Sequence, residues 1–128
     1  MSNAFIIIDD GPCAGTRLTA SQAPIMLRIT RGQGGVVDCL DLATDMPRPD
    51  EEVIVYRARG RGSVAFVDGR DPKTGKRYGY QSRTQHYTRH EPQPAAEHVQ
   101  TWAAWSAWCE ANKAHLMDLF NASCEAKP

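Results

Sequence analysis

Apolar and polar positions alternate through the first two thirds of the chain, and the alternation stops near His90. Phe5–Ile8, Arg17–Thr19, Ile25–Ile29, Val36–Leu40, Val53–Arg59, Val64–Val67 and Lys76–His90 are rich in β-branched or aromatic residues and are separated by Gly, Pro and Asp, which predicts strands. The connections are too short for the crossovers that consecutive parallel strands require, so the predicted sheet is mostly antiparallel. "RGQGG" at 31–35 and "ARGRGS" at 58–63 read as hairpin tips. "DLATDMPRPDEE" at 41–52 is long and acidic, holds two prolines, and reads as a mobile loop.

Beyond His90, Pro92 and Pro94 lead into Ala-rich sequence poor in β-branched residues, which predicts one helix over 94–121, weakest at Asn112–His115. Trp102, Trp105 and Trp108 fall at i, i+3 and i+6, so they spread over about 120° of helix surface at about 100° per residue. Val99, Trp102, Ser106 and Cys109, continued by Leu116 and Phe120, form the expected core stripe, which leaves Trp108 off-centre. The predicted class is α+β: a mostly antiparallel curled sheet of about six or seven strands with a C-terminal helix packed on it. A chain of 128 residues makes one domain, β-rich over 4–90, helical over 94–121, with a flexible tail at 122–128.

No stretch reaches the roughly 18 apolar residues of a membrane span, and nothing resembles a signal peptide, so a cytoplasmic location without membrane contact is expected. Cys13, Cys39, Cys109 and Cys124 lack the spacing of a zinc knuckle and read as reduced thiols. His86 and His90 could share a face, yet no cysteine or carboxylate cluster accompanies them, and no metal is expected. Net charge is zero but unevenly distributed. Residues 1–55 carry four Arg against eight Asp or Glu, residues 56–90 carry nine Lys or Arg against two Asp, and the remainder carries two Lys against five acidic residues. The basic middle is an electrostatic footprint for an acidic partner.

"FIIIDDGPCAG" at 5–15 invites a phosphate-loop reading, but a strand rather than a helix follows it, and Asp9 and Asp10 would repel a phosphate. Gly11-Pro12 and Gly15 read as a reversal between two strands. "GRDPKTGKR" at 69–77 departs from a P-loop: five residues separate Gly69 from Gly75, Arg77 stands where Ser or Thr should hold magnesium, and a strand follows. Asp71–Gly75 reads instead as a hairpin loop. No Ser-His-Asp set is evident, and Asp9, Asp10, Asp38 and Asp41 read as solvated turn residues, so neither enzyme activity nor a cofactor is expected.

Two surfaces remain. Arg57, Arg59, Arg61, Lys76, Arg77, Arg83 and Arg89, with Tyr87, carry the cations and the aromatic face that single-stranded nucleic acid uses. Alternation sets Tyr78 and Tyr80 with His86 on one face and Arg83, Tyr87 and Arg89 on the other. Trp105 and Trp108 are the candidate protein-binding or homodimer patch. The strand ending in "DGPCAG", the later "DEEVIVYRARG" and the helix "TWAAWSAW" resemble small uncharacterised proteins of actinobacteria and their tailed phages. The resemblance implies a phage-encoded accessory or host-control factor that binds a host or phage protein in the host cytoplasm. The leading expectation is therefore a non-enzymatic interaction protein, with nucleic-acid binding through the basic hairpins as the alternative.

Overall fold

The computed structural model describes residues 2–40 and 45–125. Six strands form one sheet: β1 (Ser2–Ile8), β2 (Arg17–Ala20), β3 (Met26–Arg31), β4 (Val37–Cys39), β5 (Glu52–Arg70) and β6 (Arg77–Arg89). Their order is β2-β1-β6-β5-β3-β4. Every pairing is antiparallel except β1 with β6, whose parallel register runs from Ser2↔Gln81 to Ile8↔Tyr87. These two strands lie at opposite ends of the strand sequence, so most of the chain serves as their connection. The outer strands β2 and β4 approach each other, which curls the sheet nearly into a barrel. This is the α+β, mostly antiparallel architecture that the patterning predicts.

Alternate residues of each strand fill the barrel. Ile6, Ile8, Leu27, Ile29, Ile54, Tyr56, Ala58 and Tyr87 form one cluster with Cys13, Ala20 and Cys39. The two tyrosines bury their rings completely and find partners for their hydroxyls: Tyr87 Oη donates to Pro24 O at 2.5 Å and Tyr56 Oη donates to Asp10 O at 3.0 Å. Tyr56 Oη also accepts from Cys13 N at 3.2 Å, which ties the opening turn to the core. Burial pushes the Tyr56 hydroxyl up to about 12, so it stays protonated and able to donate.

The opening stretch is the predicted reversal. Gly15 N donates to Ile8 O at 2.8 Å and Ile8 N to Thr16 O at 3.0 Å, joining β1 to β2 through a short 3-10 turn at Gly11–Cys13. Gly11 sits at φ +72°, and a Cβ there would lie 2.8 Å from Tyr56 Oη. Both backbone conformation and space therefore require glycine.

Three expectations need correction. "ARGRGS" is not a hairpin tip: Arg59 and Ser63 flank a bulge, and β5 continues in the same direction to Arg70. The buried amide of Gln85 donates to Gly60 O at 2.9 Å, and Gly60 N donates to Ser123 Oγ at 3.0 Å, so groups released from the ladder are satisfied without a chain reversal. The two predicted strands on either side are thus one. The predicted helix over 94–121 starts only at Trp102, after a 3-10 turn at Ala96–His98, and splits at its predicted weak point into α1 (Trp102–Ala111) and α2 (Lys113–Glu125). Thr101 Oγ1 caps the first at Ala104 N, and Asn112 Nδ2 donates to Trp108 O at 2.8 Å where the helix breaks. Finally, residues 122–125 are helical, held through Ser123 at the bulge, while 126–128 lie outside the described residues.

The hairpins at 31–35 and 71–75 form as predicted, between β3 and β4 and between β5 and β6. In the second, Asp71 Oδ1 accepts from Lys73 N at 2.8 Å. Of the acidic loop at 41–52, residues 41–44 lie outside the described residues; 45–51 form neither helix nor strand, and Glu52 begins β5.

Candidate functional site

β5 and β6 outlast the barrel. The pairing of β5 with β3 spans Glu52–Arg57 and that of β6 with β1 begins at Gln81, so beyond these limits β5 and β6 pair only with each other. Past the bulge their ladder, the ribbon, runs from Ser63↔Thr84 to Arg70↔Arg77, about 25 Å at about 3.3 Å per residue; β1 still flanks β6 from Gln81 to Thr84, and only Val67↔Tyr80 to Arg70↔Arg77 is two-stranded. Ser63, Val64, Ala65 and Phe66 are consecutive and all exposed, so this part of the strand covers no core on either side. Phe66 is 78% exposed, the most open large apolar side chain among the described residues. The register sets Val64, Phe66 and Arg70 on one ribbon face with Arg77 and Arg83 across from them. Lys73 and Lys76 are exposed at the tip.

The predicted cations therefore separate into two groups. Arg61, Lys76, Arg77 and Arg83 are exposed along the ribbon, and Arg61 and Arg83 meet at its base, where they line a hollow of about 410 Å³ with Gln85, Phe120 and Glu125. The others belong to the barrel end. Arg57, half-buried on the helix-covered face beside Met26, donates from Nη1 to His90 Nδ1 at 3.2 Å. Arg59 lies 3.7 Å from Asp9, and Arg89 lies 2.9 Å from Glu91. Tyr87, expected to stack a base, is fully buried inside the barrel, because its parity on β6 faces the core where the strand still belongs to the barrel. The side chains of Tyr78 and Tyr80 lie outside the described residues. Phe66, which sequence reasoning missed as a site residue, is the aromatic that the ribbon exposes; within the apolar run Val64–Val67 nothing in the sequence sets it apart from a core residue.

The tryptophans occupy positions different from those the helical stripe predicts. Trp105 is 5% exposed and packs with Met26, Val55, Val99 and Leu116, whereas Trp102, expected in the core, is 41% exposed. The rest of the expected stripe largely holds, with Val99 and Leu116 buried and Cys109 and Phe120 half-buried; the departure lies within α1, where Trp105 rather than Trp102 faces the sheet and Ser106 is exposed. Trp108 is half-buried, stacked on Trp105 at 5.5 Å between ring centroids and edge-on to His90 at 5.8 Å. His90 is itself buried, and burial, followed by the charges of Arg57 and His115, pulls its pKa below the usual range; Glu91 works in the opposite direction. The contact from Arg57 Nη1 requires Nδ1 to accept, which fits a neutral ring. The predicted pair Trp105 and Trp108 thus joins the layer between helix and sheet.

The titratable groups singled out in the sequence do not converge. Asp10 accepts from Arg89 N at 2.7 Å and from Thr88 Oγ1, which fixes the opening turn against β6. Asp9 meets His86 Nδ1 at 2.7 Å at the surface, and Asp38 Oδ1 accepts from Cys39 N at 2.8 Å. Asp41 lies outside the described residues. Burial pushes the Cys109 thiol up to about 11, with Arg28 pulling the other way, so it is not a thiolate near neutrality. Among the described residues, no three His, Cys, Asp or Glu side chains form a group able to hold a metal ion, and no helix is long and apolar enough to cross a membrane.

No family model, curated protein or solved structure matches this chain. The resemblance to phage and actinobacterial proteins consequently rests on the quoted sequence segments alone.

Proposed function

We propose that this chain is a non-enzymatic interaction protein whose binding element is the β5–β6 ribbon and whose partner is single-stranded nucleic acid. One observation carries the reading: Phe66, 78% exposed, shares a ribbon face with the register positions of Arg70, Arg77 and Arg83. Cations at that spacing neutralise phosphates, while an open aromatic face stacks a base regardless of its identity. A ribbon with no core of its own has no structural need for an exposed Phe. The reading moves the binding residues from Trp105 and Trp108, which pack against the sheet, to the basic hairpin. A phage-encoded accessory factor acting in the host cytoplasm remains the setting that the sequence resemblance suggests.

Fluorescence anisotropy with a labelled oligothymidylate of about 15 nucleotides tests it, since single-strand sites span about 4–16 nucleotides. Binding at low salt that Phe66→Ala weakens several-fold supports the reading. No binding at low salt ends it, and binding of a protein that persists through high salt would instead favour a protein partner at the ribbon.

A further inference from the structure

Arg28 lies in the middle of β3, on the sheet face covered by the helices, and has 0% exposure. Its Nη1 donates to Val99 O at 2.9 Å. Its guanidinium carbon lies 5.6 Å from the ring centre of Trp105 and 5.8 Å from that of Trp102. Among the described residues, Nε and Nη2 have no hydrogen-bond partner. A buried donor without an acceptor is costly, and a charged one more so. Burial pulls this guanidinium below its usual range, and the charge of Asp45 works against that pull. Arginine nevertheless keeps its proton in proteins.

The two free groups are a chemically specific pair. Nε–H and the adjacent Nη2–H lie along one edge of the guanidinium and point in parallel, the geometry that receives both oxygens of a carboxylate. Nη1, the group already bonded to Val99, is outside that edge. Arg28 also lines a cavity of about 400 Å³ between β3 and the two helices, within the range of about 300–1,000 Å³ that small-molecule sites occupy. Ile25, Met26, Leu40, Leu116 and Met117 supply most of its apolar wall. The mouth reaches solvent past Ser106, Glu110 and Lys113, which line it and are exposed.

We infer that this cavity binds a small organic carboxylate with a compact apolar body, its carboxylate bridging Nε and Nη2 of Arg28 and its body lying against the Ile25, Met26 and Leu116 wall. The apolar lining rejects a bare inorganic anion, and the guanidinium edge discriminates against a neutral molecule of the same shape. Both donors are buried, so the carboxylate reaches them by displacing the exposed Trp102 ring that lies over the guanidinium. This site lies on the helix-covered face and is independent of the ribbon.

The test compares 4-phenylbutyrate with 4-phenylbutan-1-ol by titration followed in ¹H–¹⁵N NMR spectra. The acid is expected to bind at least about tenfold tighter than the alcohol, the scale of one charge-assisted hydrogen-bonded contact, and to shift the Trp102 and Trp105 indole N–H signals. Ser106→Trp, an exposed substitution at the mouth, should abolish binding while the remaining spectrum stays folded. Arg28→Lys should remove the preference for the acid, because an ammonium cannot present the paired edge. Equal affinity for acid and alcohol, undiminished binding in Ser106→Trp, or absence of indole shifts would each overturn the inference. Should Arg28→Lys fail to fold, the acid–alcohol comparison and Ser106→Trp decide the matter.

Discussion

The two halves of β5 share one continuous strand and have opposite fates. In the first half, Ile54, Tyr56 and Ala58 are at most 2% exposed inside the barrel, and Val55 on the opposite face is 1% exposed beneath the helices, so the strand is covered on both sides. In the second half, Ser63 to Phe66 are all exposed, apolar residues included. The difference teaches that strand formation here does not require burial. Past the bulge, β5 is held by its ladder with β6 and by the Asp71–Gly75 loop, and its side chains are left available to a partner. Edge-exposed, two-stranded structure is marginal alone, so the ribbon depends on the barrel that anchors its base.

Truncation on either side of the bulge should sharpen that contrast most. Ile54→Ala is expected to cost about 2–5 kcal/mol by chemical denaturation, as a cavity in the barrel, whereas Phe66→Ala should stay within about 0.5 kcal/mol. Comparable losses at both positions would mean that the ribbon has a core after all. Next in size is the junction itself. Adding a Cβ at Gly62 would bring it 2.8 Å from Gln85 Oε1 and 2.9 Å from Thr84 O, so Gly62→Ala should lower stability by about 1–3 kcal/mol. If the melting temperature is unchanged, the bulge is not the fixed joint described here. The opening turn supplies a comparison on the barrel side: Tyr56→Phe removes the acceptor of Cys13 N and the donor to Asp10 O, for about 1–3 kcal/mol.

A smaller effect separates the layer beneath the helices from the ribbon by pH. His90 has a folded pKa below its unfolded value of 6.5, so below that value the unfolded chain binds more protons at this site than the folded one. Stability should therefore fall as pH drops below about 6.5 and continue falling until the folded pKa is reached. The same titration in His90→Gln should be flatter over this window. Parallel curves for the two proteins would show that the buried ring beside Trp108 is not the group being titrated.

Much of the scaffold was legible because its causes are local. The Gly-rich turn at 31–35, the Asp71–Gly75 loop and the Gly11 reversal are determined by residues within the turn, and the β-branched run Phe5–Ile8 and the spacing of Leu27 and Ile29 read directly as strands. The bulge was misread because glycines at 60 and 62 permit either a hairpin or a bulge, and the groups that decide, Gln85 and Ser123, are distant in sequence. Arg28 escaped notice for a related reason. In "IMLRIT" an arginine at an alternate position looks like an ordinary outward-facing cation, and only the docking of Trp102 and Trp105 over it makes it a buried one. Tyr87 and Arg83 share strand parity, yet one lies within the barrel and the other on the ribbon, a boundary that periodicity does not mark.

The central claim is that the barrel is scaffold and the ribbon is the binding element. Its most direct test is the salt dependence of oligothymidylate affinity for the native chain and for the triple substitution Arg70→Gln, Arg77→Gln and Arg83→Gln. Each phosphate contact to a single strand contributes about 0.7 to the slope of log affinity against log salt, so the triple variant should lose up to about 2 units of slope while unfolding at the same denaturant concentration as the native chain. An unchanged slope in a folded triple variant would contradict the assignment of binding to the ribbon.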